Sequence, residues 1–207
     1  IVGNDASTQK EYYEYDWGAA GVIIVHLEEN SKKLYGEGGG GAGRNAAMRR
    51  ATGDVIAFLD DDDVWLPTKL EIQLDAMART GCRMCATDGL IGGGVYNPRV
   101  QYQRYNAEHY ADGLRDIYRR SDTGFNIDEG FPAVWSRDFL AVHNCAIASS
   151  VVIAKDVTDA VGEFVHAWSG AEDYEYWMRA LQHTDCAYVT EPCFFYDSGH
   201  AGGSQWG

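Results

Sequence analysis

The chain has 207 residues, 45% hydrophobic and 23% charged, a balance that suits one globular domain with a sizeable core and excludes a disordered chain. Its 17 basic and 31 acidic residues give a net charge of −14, so a polyphosphate backbone would be repelled and nucleic acid is not an expected partner. No apolar run approaches the roughly 20 residues that cross a bilayer. The acid excess sits in the second half, where residues 121–207 hold 3 basic and 13 acidic residues. A phosphate-bearing small ligand would therefore need a metal ion or a local basic group. No charged segment followed by an apolar one precedes the first strand, so no signal peptide is expected, and the start at Ile1 reads as trimmed. The five cysteines, an odd count, are expected as reduced thiols in a cytoplasmic setting. Cys82 and Cys85 have the spacing of half a zinc site, but no second pair completes it, and buried free thiols are the simpler reading.

In chain order, Ile1 and Val2 predict a short strand that runs into the turn Gly3-Asn4-Asp5-Ala6-Ser7-Thr8. Residues 9–17, polar and rich in Tyr, predict a short helix. Residues 21–27 (GVIIVHL) predict a buried strand from their β-branched density. A glycine run at 38–41 leads to a helix over 42–51, stopped by Thr52-Gly53. Residues 54–59 (DVIAFL) predict an apolar strand that ends abruptly at Asp60-Asp61-Asp62-Asp63. Pro67 opens the next helix, with Leu70, Leu74 and Met77 as its apolar positions. Residues 82–87 predict a strand, and 90–140 an irregular insertion of loop and helix. Residues 146–154 predict a strand, 156–161 a short helix closed by Gly162, 173–182 a helix with Tyr174, Trp177, Met178 and Leu181 on one face, and 187–190 a last strand. Strands alternating with helices predict an α/β fold with a mostly parallel central sheet flanked by helices.

The four consecutive Asp residues are the strongest chemical signal. Like charges side by side raise one another's pKa, and a bound cation relieves the cost. Their place matters more than their number, because ligands of open α/β sheets bind beyond the carboxyl ends of the strands. Hard oxygen ligands suit Mg²⁺ or Mn²⁺, which recruit substrate phosphates. A solvated acidic turn is the plainer alternative, and Asp63 in particular suits a helix cap.

These segments resemble the family 2 glycosyltransferases of the GT-A fold. The run Gly41-Ala42-Gly43-Arg44-Asn45, then Ala51-Thr52-Gly53-Asp54, then Phe58-Leu59-Asp60-Asp61-Asp62-Asp63-Val64-Trp65-Leu66-Pro67, is similar to that family's ARN-like helix start, A-x-G, DxD motif and D-x-W-x-P. The 3–8 turn resembles its D-D-G-S-T turn, and Ser149-Ser150-Val151-Val152-Ile153 with Val161-Gly162-Glu163-Phe164 its mid-domain strand and V-G-x-F. Gly170-Ala171-Glu172-Asp173 to Arg179 resembles its E-D-x-D/E-x-W-x-R helix start, and Tyr196 to Ser204, with His200, its final Y-R-x-H segment. About one βα unit that normally precedes the D-D-G-S-T turn is not in the sequence, and the tail Arg is replaced by Asp197 and Ser198.

The resemblance implies a single domain over 1–207, with a nucleotide-sugar half at 1–88 and an acceptor half at 89–207. It implies a hexosyltransferase of glycan biosynthesis, inverting, with Mn²⁺ or Mg²⁺ and a UDP-sugar as the expected donor. A glycan or lipid-linked acceptor would bring it to the cytoplasmic face of a membrane. Asp62 and His200 are the implied metal ligands. Asp5, Arg44, Asp60 and Asp61 are the implied donor contacts, Asp5 toward the base and Arg44 toward phosphate. Asp173 is the implied general base, with Glu172 beside it. The competing readings are a non-catalytic cation- or carbohydrate-binding module, which has no need of Asp173, a nucleotidyltransferase, and a haloacid-dehalogenase-like phosphatase, whose D-x-D-x-[TV] motif normally lies on the first strand.

Overall fold

The structure, a computed structural model, describes residues 1–35, 40–165 and 171–199. Strands β1 (Val2–Asn4) and β2 (Ile24–His26) pair in parallel as a small sheet, with α1 (Glu11–Glu14) between them in sequence. Helices α2 (Ser31–Tyr35) and α3 (Gly41–Met48) follow. The small sheet leans on α3 through a backbone contact that tolerates no side chain, since a Cβ on Gly3 would lie 1.9 Å from the Gly43 carbonyl oxygen. Residues 21–27, predicted as a buried strand, form only the short β2, and Ile23 is exposed.

The larger sheet has seven strands. They are β3 (Val55–Ala57), β4 (Val64–Trp65), β5 (Met84–Gly92), β6 (Gln103–Arg104), β7 (Val134–Trp135), β8 (Val152–Ala154) and β9 (Cys186–Asp197). Its order is β3-β8-β5-β9-β4, with β6 on β5 and β7 on β9. The α/β class stands. The expectation of a mostly parallel sheet is corrected: β5 and β9 run parallel, while β3–β8, β5–β8, β5–β6, β4–β9 and β7–β9 are antiparallel. The reason is that a parallel pair needs a long crossover. Between β5 and β9 that crossover carries α5 (Ala111–Arg120), α6 (Arg137–Leu140), α7 (Lys155–Val161) and α8 (Glu172–Ala180). The other strands are two- or three-residue pieces laid back onto β5, β8 and β9. α5, β6 and β7 give the 90–140 insertion more regular structure than expected.

Helix α4 (Lys69–Thr80) buries a different face from the predicted one. Leu70 and Leu74 are exposed, and Lys69, Gln73 and Ala76 are buried. Carbonyls decide this. Gln73 Nε2 donates to Cys85 O at 3.0 Å and to Ser150 O at 2.8 Å, and Lys69 Nζ donates to Gln73 Oε1. Burial pushes the Lys69 ammonium down to about 8. All five cysteines are buried free thiols, as read from the sequence.

The main core fills the space between the larger sheet and the helices of the crossover. Trp135 stacks on Tyr188 with centroids 4.1 Å apart, and Phe58 meets Phe164 and Trp177 at 5.6 and 5.4 Å. Trp177 is fully buried, and its Nε1 donates to Ala146 O at 3.1 Å. Trp177→Ala should therefore cost about 3–5 kcal/mol of unfolding free energy in a urea titration. A loss well under 1 kcal/mol would contradict this packing.

Candidate active site

The acidic segment is the link between two flanks of the larger sheet. β3 joins that sheet through β8, whereas β4 pairs with the far half of β9 (Val64↔Phe195, Trp65↔Phe194). Residues 58–63 must cross from one flank to the other, and the crossing leaves their side chains at the sheet end. Ser149, fully buried in the 3-10 turn Ala148–Ser150, holds both ends of the crossing. Its Oγ accepts from Asp60 N at 3.0 Å, and its carbonyl accepts from Trp65 Nε1 at 3.2 Å.

Asp60 meets Arg44 from α3, with Nη2 to Oδ1 at 2.5 Å and side chains 17% and 34% exposed. Burial by itself would lower the Arg44 pKa, but Asp60, then Asp173 and Glu172, more than reverse this and hold the guanidinium charged. Asp173, at the start of α8, has its pKa raised by burial, partly offset by Arg44 and by the Tyr174 N–H that donates to Oδ1 at 2.6 Å. Arg44, Asp60 and Asp173, which the sequence singled out separately, therefore share one electrostatic environment.

Two contacts that sequence reasoning missed hold this grouping. Glu172 Oε1 accepts from the Gly41 N–H at 2.9 Å, satisfying an orphan donor of the first turn of α3. Glu172 is thus spent on joining α3 to α8, which separates its role from that of Asp173. Asn45 exchanges hydrogen bonds with the backbone of Phe164, Nδ2 to O at 2.9 Å and Oδ1 from N at 2.8 Å, and Arg44 lies over the Phe164 ring at 5.7 Å. The signal for both lay in the ARN-like and V-G-x-F motifs, whose pairing no spacing rule reveals.

Asp61 and Asp62 are exposed at the tip of the loop. The Asp62 pKa is raised by burial of part of its carboxyl and by Asp61, Asp60 and Asp197, against the lowering effect of its own backbone N–H. Asp63 does not cap α4. It is buried, its Oδ1 accepts from Asp197 N at 3.0 Å, its Oδ2 is without a partner, and burial lifts its pKa to about 7. Among the described residues, no group of three or more His, Cys, Asp or Glu side chains closes around a point as a metal cage. The crowded carboxyls at Asp60–Asp62 fit a hard divalent ion only as an open site completed by water and ligand oxygens.

Asp5 lies apart from this cluster in its contacts. Its Oδ1 accepts from Ser31 N at 2.8 Å and its Oδ2 from Ser31 Oγ at 2.6 Å, which fixes the start of α2. Ser31 in turn lines a cavity of about 320 Å³ between β2 and α3, bordered by Leu27, Asn45 and Arg49. His200 lies outside the described residues. Trp135 and Trp177 are core residues, and Trp65 is half-buried beneath the acidic loop.

Comparison with known proteins bears on this arrangement. The family model described as glycosyl transferase family 2 matches residues 1–140. A glycosyltransferase of Bacillus subtilis named for teichuronic acid biosynthesis, TuaG, is 44% identical over 93 residues, covering 42% of this chain and 33% of its own. The Escherichia coli UDP-Glc:α-D-GlcNAc-diphosphoundecaprenol β-1,3-glucosyltransferase WfgD is 49% identical over 79 residues, covering 38% of this chain and 28% of its own. The chain thus spans about a third of the length of these relatives. In fold it is similar to residues 1–349 of TarS from S. aureus, solved with UDP-GlcNAc, at a TM-score of 0.60 and 14% identity, over 97% of this chain and 50% of that one. With the family model matching more than half of its residues, this chain belongs to glycosyl transferase family 2.

Proposed function

We propose that this chain transfers a sugar from a UDP-sugar to a hydroxyl of a glycan or lipid-linked acceptor, with inversion at the anomeric carbon. The observation that carries the reading is the convergence of Arg44, Asp60 and Asp173 from three separate segments into one charged group. The names of related proteins support the substrate classes: TarS was solved with UDP and with UDP-GlcNAc, and WfgD is named for a UDP-glucose donor and a diphosphoundecaprenol-linked acceptor.

In this reading Asp60–Asp62 and Arg44 face the donor diphosphate. Asp62 would hold Mn²⁺ or Mg²⁺, with His200 as the second ligand its motif implies, and Asp60 would face the donor and the ion's waters. When bound, the ion would neutralise charge on the leaving diphosphate. Arg44 would exchange part of its contact with Asp60 for phosphate oxygens, which suit a planar guanidinium. Asp61 stands at the loop tip toward the donor sugar. Asp5 serves the donor's base side by fixing Ser31 in the cavity wall. Asp173 takes the proton of the acceptor hydroxyl as its oxygen bonds to the anomeric carbon and the bond from that carbon to the diphosphate breaks. Its raised pKa brings its basicity nearer to that task. No helix among the described residues is long and apolar enough to cross a membrane.

Calorimetric titration with UDP and Mn²⁺ tests the donor side. Asp62→Ala should weaken metal-dependent binding by at least about tenfold, or about 1.4 kcal/mol. Unchanged affinity would remove Asp62 from the site.

Asp173→Asn separates an enzyme from a binding module. UDP affinity should stay within about twofold, while kcat falls by roughly 10²–10⁴, the usual contribution of a general base. Unchanged turnover would dismiss the base assignment.

The pH profile follows from the same residue. Asp173 works ionised and its pKa is raised, so kcat/KM should climb with pH along an acid limb centred above the ordinary Asp value of about 3.9. That limb should be absent from the residual activity of Asp173→Asn.

A further inference from the structure

The acidic loop has a second set of neighbours that the reaction scheme leaves unused. Tyr196 immediately precedes Asp197, whose backbone N–H donates to Asp63, so its ring starts beside the loop. Its phenol is raised by burial and by the nearby Asp63 and Asp62 carboxyls. Tyr105 packs on Tyr196 with centroids 5.3 Å apart and on Tyr110 at 4.8 Å, and His109 meets Tyr110 edge-on at 4.5 Å. Tyr105 and Tyr196 are half-buried, and Tyr110 is 44% exposed.

The segment that presents these rings is held by a buried carboxylate. Tyr105–His109 is a single π-helical turn, a form that recurs at functional sites. It is pinned by Asp88, a fully buried carboxylate at the point where the β5–β9 register shifts. Asp88 Oδ1 accepts from Asn106 N at 2.8 Å and Gly89 N at 2.9 Å, and Oδ2 accepts from Ala107 N at 3.2 Å and lies 3.4 Å from Arg104. Asn106 Nδ2 also reaches Cys145 O at 3.1 Å. A buried carboxylate is costly unless its lone pairs are filled. Here two turn N–H groups, Asn106 N and Ala107 N, fill them together with Gly89 N and Arg104, which ties the turn that carries Tyr105, and Tyr110 after it, to β5.

We propose that Tyr110, Tyr105 and Tyr196 form a stacking subsite for a hexopyranose ring beside the acidic loop. Aromatic faces with polar rims match a sugar ring, whose C–H face is apolar and whose hydroxyls stay wet. The ring belongs either to the donor or to the acceptor. The proposal deepens the transferase reading and rests on it for the ligand at the neighbouring carboxylates.

The test is calorimetry and saturation-transfer NMR on the chain and on Tyr110→Ala and Tyr110→Phe, with UDP, UDP-glucose, UDP-GlcNAc, methyl β-D-glucopyranoside and methyl N-acetyl-β-D-glucosaminide as probes. Tyr110 is exposed, so Tyr110→Ala is expected to fold. If the donor's ring stacks here, Tyr110→Ala weakens a UDP-sugar by about tenfold and leaves UDP unchanged. If the acceptor's ring does, a methyl glycoside weakens by a similar factor and the UDP-sugars hold. Tyr110→Phe should remain within about twofold of the parent in either case. Unchanged affinity for every sugar probe in Tyr110→Ala, an equal loss for UDP and UDP-sugar, or no sugar binding by the parent would each overturn the proposal. Failure of the transferase reading shows differently, as UDP binding that is absent or indifferent to Asp62→Ala, and the glycoside arm then still decides the stacking subsite.

Discussion

One guanidinium holds the candidate site together. Asp60, Asp173 and Glu172 come from a loop and a helix more than a hundred residues apart, and three carboxylates in partly buried space repel one another. Arg44 is the cation set among them, 2.5 Å from Asp60 and with its charge favoured by all three. Without it the segments would gain by moving apart or by taking up protons. With it they form one charged group, three carboxylates around a single cation.

The surrounding contacts keep that guanidinium in place. Gly41 gives its N–H to Glu172, and Asn45 closes a two-way bond with Phe164, so α3 is fixed on both sides of Arg44. Gly43 lets the backbone of β1 approach α3 at a distance no side chain would permit. The residues around Arg44 in the ARN-like motif are thus consumed by tertiary contacts, which frees Arg44 to face the carboxylates.

A second axis runs from the loop in the other direction. Asp63 accepts from Asp197 N, and Asp197 Oδ1 accepts from Gly94 N and Gly199 N, both at 2.7 Å. This chain of bonds ties the acidic loop to the end of β9 and to the turn after β5. The tyrosine rings flank the same axis, anchored through the fully buried Asp88. Two buried carboxylates, Asp63 and Asp88, thus shape the site without being exposed at its surface.

The sequence by itself determined the α/β class, the family and the position of the acidic loop at a strand end, because these follow from local apolar runs and from short motifs in a fixed order. It also placed Arg44, Asp60, Asp62 and Asp173 on the candidate list. It misread the buried face of α4, where Leu70 and Leu74 stay exposed and Lys69 and Gln73 turn inward, since free carbonyls of Cys85 and Ser150 decide that choice and periodicity does not register them. It misread the strand directions, which depend on where short segments find a partner along β5 and β9. That Glu172 rather than Asp173 takes the Gly41 N–H, and Asp63 rather than Asp62 the Asp197 N–H, was decided only by the tertiary structure. Neighbouring carboxylates are chemically alike in the chain, and only the donors that the fold brings to each, Gly41 N–H for one and Asp197 N–H for another, make them different.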